Sequence, residues 1–385
     1  MCFGASRQAR PNRPPLFHCM TTIRSMEDDL NALLRPLREK IDDIDAQLLK
    51  LLNQRAAVAL EVGEVKKRFG APVFRPEREL QVISRLQQTN DGPLYGDNLA
   101  SIWREIMSAS RALEKVMTVA YLGPAGTYSE QAAFAYFGQS VKGLPCPSLD
   151  EVFRAVEAGS ADFGVVPVEN STEGVVSRTL DLLLQSPLTI SGEVALPIHH
   201  NLMSLSGTLD GVKRICSHAQ SLAQCQHWLT AHFPLLERQA VSSNAEAARM
   251  ASADPTIAAI AGESAATQYG LQVAYAHVQD DPHNRTRFVV VGTQDPAPSG
   301  HDQTSLILSV PNRAGAVVAL LEPLANNGVS MTRFESRPAK SGAWEYYFYV
   351  DFEGHRDDPN VAKALDALRQ NAAYCKVLGS YPRSA

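Results

Sequence analysis

Five polar side chains, Glu169, Asn170, Ser171, Thr172 and Glu173, follow one another just after a short β-branched run, Val165–Val166, stops at Pro167. Gly174 closes the turn, and an apolar-periodic segment, Val175–Leu184, comes next. Carboxylates, an amide and hydroxyls at a strand-to-helix turn can hold and orient a small polar ligand, because open α/β sheets bind ligands beyond the carboxyl ends of their strands. The same pattern also fits a capped, solvated loop. A second turn of this kind, YLGPAGTYSEQAA (Tyr121–Ala133), lies upstream. There Thr127 and Glu130 have capping-box spacing, which sets a Gly-rich turn before a helix start whose free N–H groups attract carboxylates. A third pattern is cationic. Arg55 and Lys66 are eleven residues apart, close to three helical turns, so they share a face about 16 Å apart and could clamp a small dianion. Arg38 is rotated roughly 100° from that face and more naturally serves a partner chain's site. Any one of these cations, alone, reads best as ordinary helix surface.

The two turns together resemble the prephenate dehydratase family, whose hallmarks are a GP-GTYSE turn followed by a PVENS-EG turn. The likeness continues in TRF (Thr286–Phe288) and in SHAQSLAQC (Ser217–Cys225). The resemblance implies loss of CO2 and hydroxide from prephenate to give the aromatic ring of phenylpyruvate. Aromatisation drives that step, so the protein holds two carboxylates and assists the departing hydroxyl. Thr286 takes the position the family gives to this assistance, as a hydrogen-bond donor relaying a proton from Glu173 or a water. Asn170, Ser171 and Gln220 are implied orienting groups. Arg287 is an implied carboxylate ligand, although strand alternation turns its side chain away from that of Thr286. His218 reads equally well as a helix-start histidine bonded to backbone. His199, His200 and His277 lack ligand spacing with Cys or carboxylates, so no metal is expected and no cofactor is implied.

The cationic stretch resembles the all-helical chorismate mutase family through LREKID (Leu37–Asp42), Gln54–Arg55, Val62–Gly63 with Lys66, and Arg78–Glu79. The implied reaction, chorismate to prephenate, is pericyclic. It needs no nucleophile or base, only a compact conformer and stabilisation of charge on the ether oxygen. By the resemblance, Arg38 reaches a carboxylate in the partner's site and Arg55 is the second arginine. Lys66 touches the ether oxygen, Arg78 and Glu79 are the next helix's polar pair, and Ser110 is the third helix's serine. Arg75, an extra positive charge ahead of that pair, has no assigned use. Glu114 stands where bacterial members often carry glutamine. A carboxyl donates only when protonated, so mutase activity is expected to fall as pH rises through its titration.

The elements that must position these groups are legible from periodicity. Apolar residues from Leu30 to Val65 recur with helical spacing, and Pro36 marks the expected start of one long helix. Such a rod, roughly 45–50 Å long, has more apolar face than two following helices, about 77–89 and 98–115, can cover. A helical homodimer is therefore expected, alone or paired into a homotetramer. From Met117, short β-rich runs alternate with helices, a mostly parallel α/β arrangement. Further capping boxes stand at Ser148 with Glu151 and Ser243 with Glu246. Two lobes, 117–198 and about 199–276, resemble periplasmic-type binding proteins, with the pocket in the cleft between them.

Past residue 302 the order is β-α-β-β-α-β, the ferredoxin-like split-βαβ plan. NRAGAVVALL (Asn312–Leu321) and ESRP (Glu335–Pro338) resemble the ACT domain of phenylalanine-inhibited dehydratases. The resemblance implies an L-phenylalanine effector between paired ACT domains, near Asn312, Ala314, Gly315, Ala316 and Val317 and near Glu335, Ser336, Arg337 and Pro338.

Four segments follow for this multidomain chain: an extension at 1–26, a chorismate mutase domain at 27–115, a dehydratase domain at 117–295 and an ACT domain at 302–380. The net charge of -5 and pI of about 6.1 give no support to a nucleic-acid partner, so an anionic substrate needs a local cluster of Arg and Lys. Six scattered cysteines fit a reducing cytoplasm, and no apolar run reaches membrane-spanning length. Residues 1–26 carry four arginines, three prolines and no acid before Glu27, and read as a disordered extension or an upstream start ahead of Met20 or Met26. Rival readings are a solute-binding protein, which the missing export signal weakens, and an enzyme that prefers arogenate.

Overall fold

The computed structural model describes residues 16–310, 313–339 and 346–384, with side chains from residue 29 onward. The chain falls into two compact units, Met1–Glu61 and Val62–Ala385. The first belongs to α1 (Leu16–Phe69). Its leucine and isoleucine stripe, from Leu30 and Leu33 through Ile41 and Ile44 to Leu48, is exposed. Pro36 lies inside the helix, not at its start. A proline removes one backbone bond and costs about 3 kcal/mol, which a helix of 54 residues absorbs. Part of the expected extension is thus helical from Leu16; residues 1–15 lie outside the described residues.

In the second unit α1 ends at a glycine with left-handed backbone, Gly70 (φ 63), where Ala71 N–H donates to Lys66 O at 2.9 Å. Only glycine takes that conformation without strain. Then come α2 (Pro76–Thr89), with proline in its first turn where the missing N–H is harmless, and α3 (Gly96–Glu114).

Next in order are β1 (Thr118–Leu122), α4 (Tyr128–Phe137), β2 (Lys142–Cys146), α5 (Leu149–Glu157), β3 (Phe163–Asn170), β4 (Gly174–Val175), α6 (Ser177–Gln185) and β5 (Thr189–Pro197). The chain then builds a second sheet from β6 (Asn201–Ser204), β7 (Arg214–His218), α7 (Ala219–Gln224), α8 (Gln226–His232), β8 (Glu237–Val241), α9 (Asn244–Ala253), β9 (Ile257–Ala261), α10 (Glu263–Tyr269) and β10 (Gln272–Tyr275). It returns to the first sheet as β11 (Arg285–Gly292). The strand orders are β2-β1-β3-β11-β5, with β4 beside β3, and β10-β6-β9-β7-β8. Both sheets are mixed, not mostly parallel: β11 is antiparallel to β3 and β5, and β6 is antiparallel to β9 and β10. The strand that comes back from the second lobe enters from the opposite end, which parallel pairing could not accommodate. All three helix starts are capped at the expected residue, with Thr127, Ser148 and Ser243 accepting from the N–H of Glu130, Glu151 and Glu246, while the glutamate carboxylates bond elsewhere, to Gly126 N–H, Arg154 and Arg249.

The last module is β12 (Asp302–Ser309), α11 (Ala316–Asn326), β13 (Met331–Pro338), β14 (Tyr346–Glu353), α12 (Pro359–Asn371) and β15 (Tyr374–Pro382), an antiparallel sheet ordered β13-β14-β12-β15. Its inner face continues the first lobe's core: Leu180 and Ile190 share one cluster with Ile307, Tyr349, Leu378 and Tyr381. Apolar burial of this kind is what holds two sheets as one body.

Candidate functional site

Register puts Thr286 of β11 directly beside Asn170, the last residue of β3. Asn170 Nδ2 donates to Thr286 Oγ1 at 2.8 Å and to Asn284 Oδ1 at 2.8 Å, while its Oδ1 accepts from the N–H of Thr172 and Glu173. One buried amide therefore fixes the turn and the threonine together. Asn284 Nδ2 in turn donates to Gln224 Oε1 at 3.0 Å, and Gln224 Nε2 reaches Glu173 Oε1 at 3.4 Å. Gln224 Oε1 also lies 2.9 Å from His200 Nε2, and Tyr128 Oη lies 2.9 Å from His200 Nδ1. With an acceptor at Nε2, neutral His200 carries its proton there, while the single Tyr128 hydroxyl proton has two acceptors in reach, His199 O at 2.7 Å and His200 Nδ1 at 2.9 Å. Burial lowers the His200 pKa, partly offset by Gln224, and burial pushes the Tyr128 pKa well up, so that hydroxyl stays a donor.

These groups open on a cavity of about 760 Å3 lined by Asn170, His200, Gln220, Gln224 and Thr286, the Gly123–Thr127 turn and the Ser243–Asn244 helix start. Gly126 (φ 85) allows the turn to pass α10, where a Cβ would meet Ala265 Cα at 3.3 Å. Tyr269 of α10 donates to Ala125 O at 3.1 Å, so both lobes grip this turn. No arginine or lysine lines the cavity among the described residues, which overturns the expected cationic cluster. What stands there instead is the N-terminal ends of α4 and α9, where unpaired N–H groups carry partial positive charge.

Arg287 is not in the cleft. Alternation sends it to the opposite face of β11, where it donates to Glu193 at 2.8 Å, Asp351 at 2.6 Å and Tyr381 at 3.0 Å. Burial opposes the charged form, but Tyr381, Asp351 and Glu193 outweigh it and the pKa rises. Ser171 also points elsewhere, its Oγ accepting from Arg285 N at 2.9 Å. Glu173 is exposed and absent from the lining, and the links from it to Thr286 are amides, which orient donors but carry no proton. The sequence reading missed Gln224, Asn284, Tyr128 and His200. Gln224 was legible: it follows Gln220 by one helical turn within the SHAQSLAQC stretch, on the same face.

Of the residues expected in the helical site, Lys66 donates to Val73 O at 2.7 Å and lies 3.4 Å from Glu114 Oε2. Gly63 makes this possible, since a Cβ there would sit 2.9 Å from Glu114 Cγ. Ser110 Oγ donates to Ile106 O at 2.7 Å. Glu79 is paired with Arg111, which also donates to Phe137 O and stacks 4.8 Å from the Phe74 ring. Glu79 is therefore committed to joining α2 and α3 to the first lobe. Arg78 is exposed, and in the other unit Arg38 is exposed and Arg55 half-buried.

In the last module Ala314 and Gly315 are exposed just before α11, and in its first turn Ala316 is buried and Val317 exposed, while Asn312 lies outside the described residues. Along β13, Ser336 and Pro338 are exposed and Glu335 half-buried. Arg337 departs from expectation: its guanidinium bonds Ser177 O and lies 3.2 Å from Asp181 of α6, so it docks on the first lobe.

Comparison with known proteins sorts these sites. Residues 119–296 match the prephenate dehydratase model, 37–115 the chorismate mutase type II model and 304–370 the ACT domain model. A bifunctional chorismate mutase/prephenate dehydratase of Neisseria gonorrhoeae is 51% identical over 360 residues, 93% of this chain and 99% of that protein. A prephenate dehydratase from Arthrobacter aurescens, solved in complex with L-Phe, is 34% identical over 69% of this chain and 90% of its own, with a TM-score of 0.64. A solved chain described as a novel type of quorum quenching acylase is 32% identical over 69% of this chain and 98% of its own, also with a TM-score of 0.64.

Proposed function

The chain belongs to the bifunctional chorismate mutase/prephenate dehydratase family, and we propose how its residues share the work. It rearranges chorismate to prephenate and turns prephenate into phenylpyruvate, with an ACT domain suited to feedback by phenylalanine. The observation that carries the dehydratase half is the 2.8 Å bond from Asn170 Nδ2 to Thr286 Oγ1. With a lone pair engaged, the threonine hydroxyl directs its proton into the cleft, toward the departing ring hydroxyl. The helix starts of α4 and α9 take the two carboxylates of prephenate, with Gln220 and the His200–Gln224 pair orienting the ring. Glu173 anchors Gln224, and Ser171 holds the turn against β11. Among the described residues of the cleft no serine or cysteine is hydrogen-bonded to a histidine, the pairing nucleophilic acyl transfer requires, so the acylase description stays with that neighbour.

In the mutase half Lys66 reaches the ether oxygen beside Glu114, with Arg78 and Ser110 on the substrate; Arg55, and Arg38 from the partner chain, are the arginines that the family pattern assigns to the substrate carboxylates. The exposed stripe of α1 supports a homodimer, which the ACT sheets extend to a tetramer. Phenylalanine sits at Ala314, Gly315, Ala316 and Val317 against Glu335, Ser336 and Pro338. The segments 1–26, 27–115, 117–295 and 302–380 are the working units. No described helix is long and apolar enough to cross a membrane, and unpaired Cys146, Cys216, Cys225 and Cys375 support a cytoplasmic setting. Chorismate given to the full-length protein should yield prephenate and then phenylpyruvate, with phenylalanine suppressing the second product. Prephenate that accumulates without phenylpyruvate would overturn the division.

A further inference from the structure

Which end of the Gln224 amide faces the cleft is decided by a residue outside it. Asn170 Oδ1 accepts from the backbone N–H of Thr172 and Glu173, so Nδ2 is the end turned to Asn284. The atom that Nδ2 meets there at 2.8 Å must therefore be the acceptor, Asn284 Oδ1. Asn284 Nδ2 is left to donate to Gln224 Oε1 at 3.0 Å, and His200 Nε2 lies 2.9 Å from the same oxygen. With Oε1 doubly engaged, Gln224 Nε2 has Glu173 Oε1, at 3.4 Å, as its one partner among the described residues. Its second N–H is left for the cavity that Gln224 lines. Asn284 is 1% exposed and does not line that cavity. It stands where the chain returns from the second lobe, and its carbonyl oxygen accepts from Ile198 N, on the outgoing crossing, at 2.8 Å. Its side chain thus ties Asn170 of one lobe to Gln224 of the other. No aspartate or glutamate lines the cavity among the described residues.

We propose that Asn284 is a positioning residue that makes the cleft select a keto acid over the matching amino acid. This rests on the role proposed for the cleft in dehydrating prephenate, and adds the choice against arogenate, which carries an ammonium in place of the keto oxygen. Thr286 of the first lobe meets the ring hydroxyl, so the pyruvyl arm, on the opposite ring carbon, points to the second lobe. There the start of α9 stands against the end of β7, Asn244 Oδ1 accepting from His218 N at 3.1 Å and from Ser217 Oγ at 2.9 Å. With the carboxylate of the arm on the first N–H groups of α9, the adjoining keto oxygen takes the free N–H of Gln224. An ammonium in that place meets a donor and has no lining carboxylate to replace its water. Both compounds lose CO2 and hydroxide in the same way, so the selection lies in this contact and not in the bond breaking.

The test is kcat/KM of the full-length protein on prephenate and on arogenate, from initial rates of phenylpyruvate and phenylalanine formation. Wild type should favour prephenate at least about 100-fold. Asn284→Asp keeps the shape and still accepts from Asn170, but its carboxylate repels Gln224 Oε1 and draws Nε2, turning the amide oxygen to the cleft. His200 follows by carrying its proton on Nδ1. The preference for prephenate should fall at least about tenfold, because prephenate loses a donor and arogenate gains an acceptor. Asn284→Ala frees the amide without adding charge and should move the ratio the same way, less far; it decides the matter if the first variant does not fold. Gln224→Glu sets an acceptor in the cleft whatever Asn284 does and should move the ratio furthest. Thr286→Ala serves the reaction and not the choice, so it should lower both substrates alike; if it lowers neither, the proposed role of the cleft fails and this proposal with it. With Thr286→Ala behaving as expected, rates that fall in proportion in both Asn284 variants make Asn284 structural and overturn the proposal alone. A ratio that shifts only in Gln224→Glu overturns it too, leaving His200 to orient that amide, and so does a wild type that turns over both substrates equally.

Discussion

Arg333 of the ACT sheet lies 2.8 Å from Glu169, Nε to Oε2, on the residue before Asn170. Arg287, the residue after Thr286, lies 2.6 Å from Asp351 of the same sheet. Both strands that carry the dehydratase groups are thus held one residue away from those groups. Alternation puts the Asn170 and Thr286 side chains on one face and the tethers, Glu169 and Arg287, on the other. A shift of β13 would strain or break the Arg333–Glu169 pair, and β13 is the strand that carries the Glu335–Pro338 motif.

Breaking the Arg333–Glu169 tie should weaken communication more than chemistry. A coupling of 1–3 kcal/mol corresponds to about 5–150-fold in effector affinity. In R333A the phenylalanine concentration that halves prephenate turnover should rise at least about fivefold, while turnover without phenylalanine changes far less. An unshifted inhibition curve would show that the tie is structural only.

On the proposed role of Thr286, removing its hydroxyl takes away the donor to the departing oxygen. T286A should lower the dehydratase kcat by about 10²–10³-fold, the usual effect of one such donor, and T286S should retain most of it. Chorismate turnover in the same protein is the internal control for folding. A T286A enzyme within about threefold of wild type would reject the donor role.

The legible parts of this protein were those set by local rules. Thr127, Ser148 and Ser243 each announced a helix start three residues before a glutamate, and each cap forms. The pairing of Thr286 with Asn170 followed from motifs over one hundred residues apart, which no local period could supply. What the sequence hid was the destination of charged side chains. Alternation already turned Arg287 away from Thr286 but did not reveal its partners, Glu193 and, on the neighbouring sheet, Asp351; Arg337, implied as a ligand by its motif, proved to dock on α6. The mixed sheets were equally hidden, because strand direction depends on where β11 re-enters and not on its residues.

His200 makes the fold sensitive to acid. Its pKa is lowered chiefly by burial, with Gln224 opposing and His199 adding. The folded state thus prefers the neutral ring, whereas the unfolded chain takes up the proton near pH 6.5. Stability from this residue is complete above that pH and is lost as pH falls toward the lower folded value. Melting temperature should drop between about pH 7.5 and about pH 5.5 more in wild type than in H200Q, whose amide has no such proton to bind. Parallel declines in both proteins would assign the acid sensitivity to other groups.

Gly63 and Glu114 separate mutase chemistry from stability. A methyl group at Gly63 would sit 2.9 Å from Glu114 Cγ, too close to stay, but the glutamate is flexible and can swing off Lys66. Replacing a helical glycine by alanine gains up to about 1 kcal/mol of helix propensity. G63A should therefore melt no lower than wild type, yet rearrange chorismate roughly tenfold more slowly, about 1.4 kcal/mol in the barrier. Prephenate turnover should not change, because the cleft is untouched. If Glu114 donates to the ether oxygen, E114Q should remove the decline in mutase rate at high pH, since an amide donates at every pH. A G63A protein that keeps its full mutase rate, with E114Q following the wild-type pH profile, would leave Lys66 as the residue acting on that oxygen and Glu114 as its counter-ion.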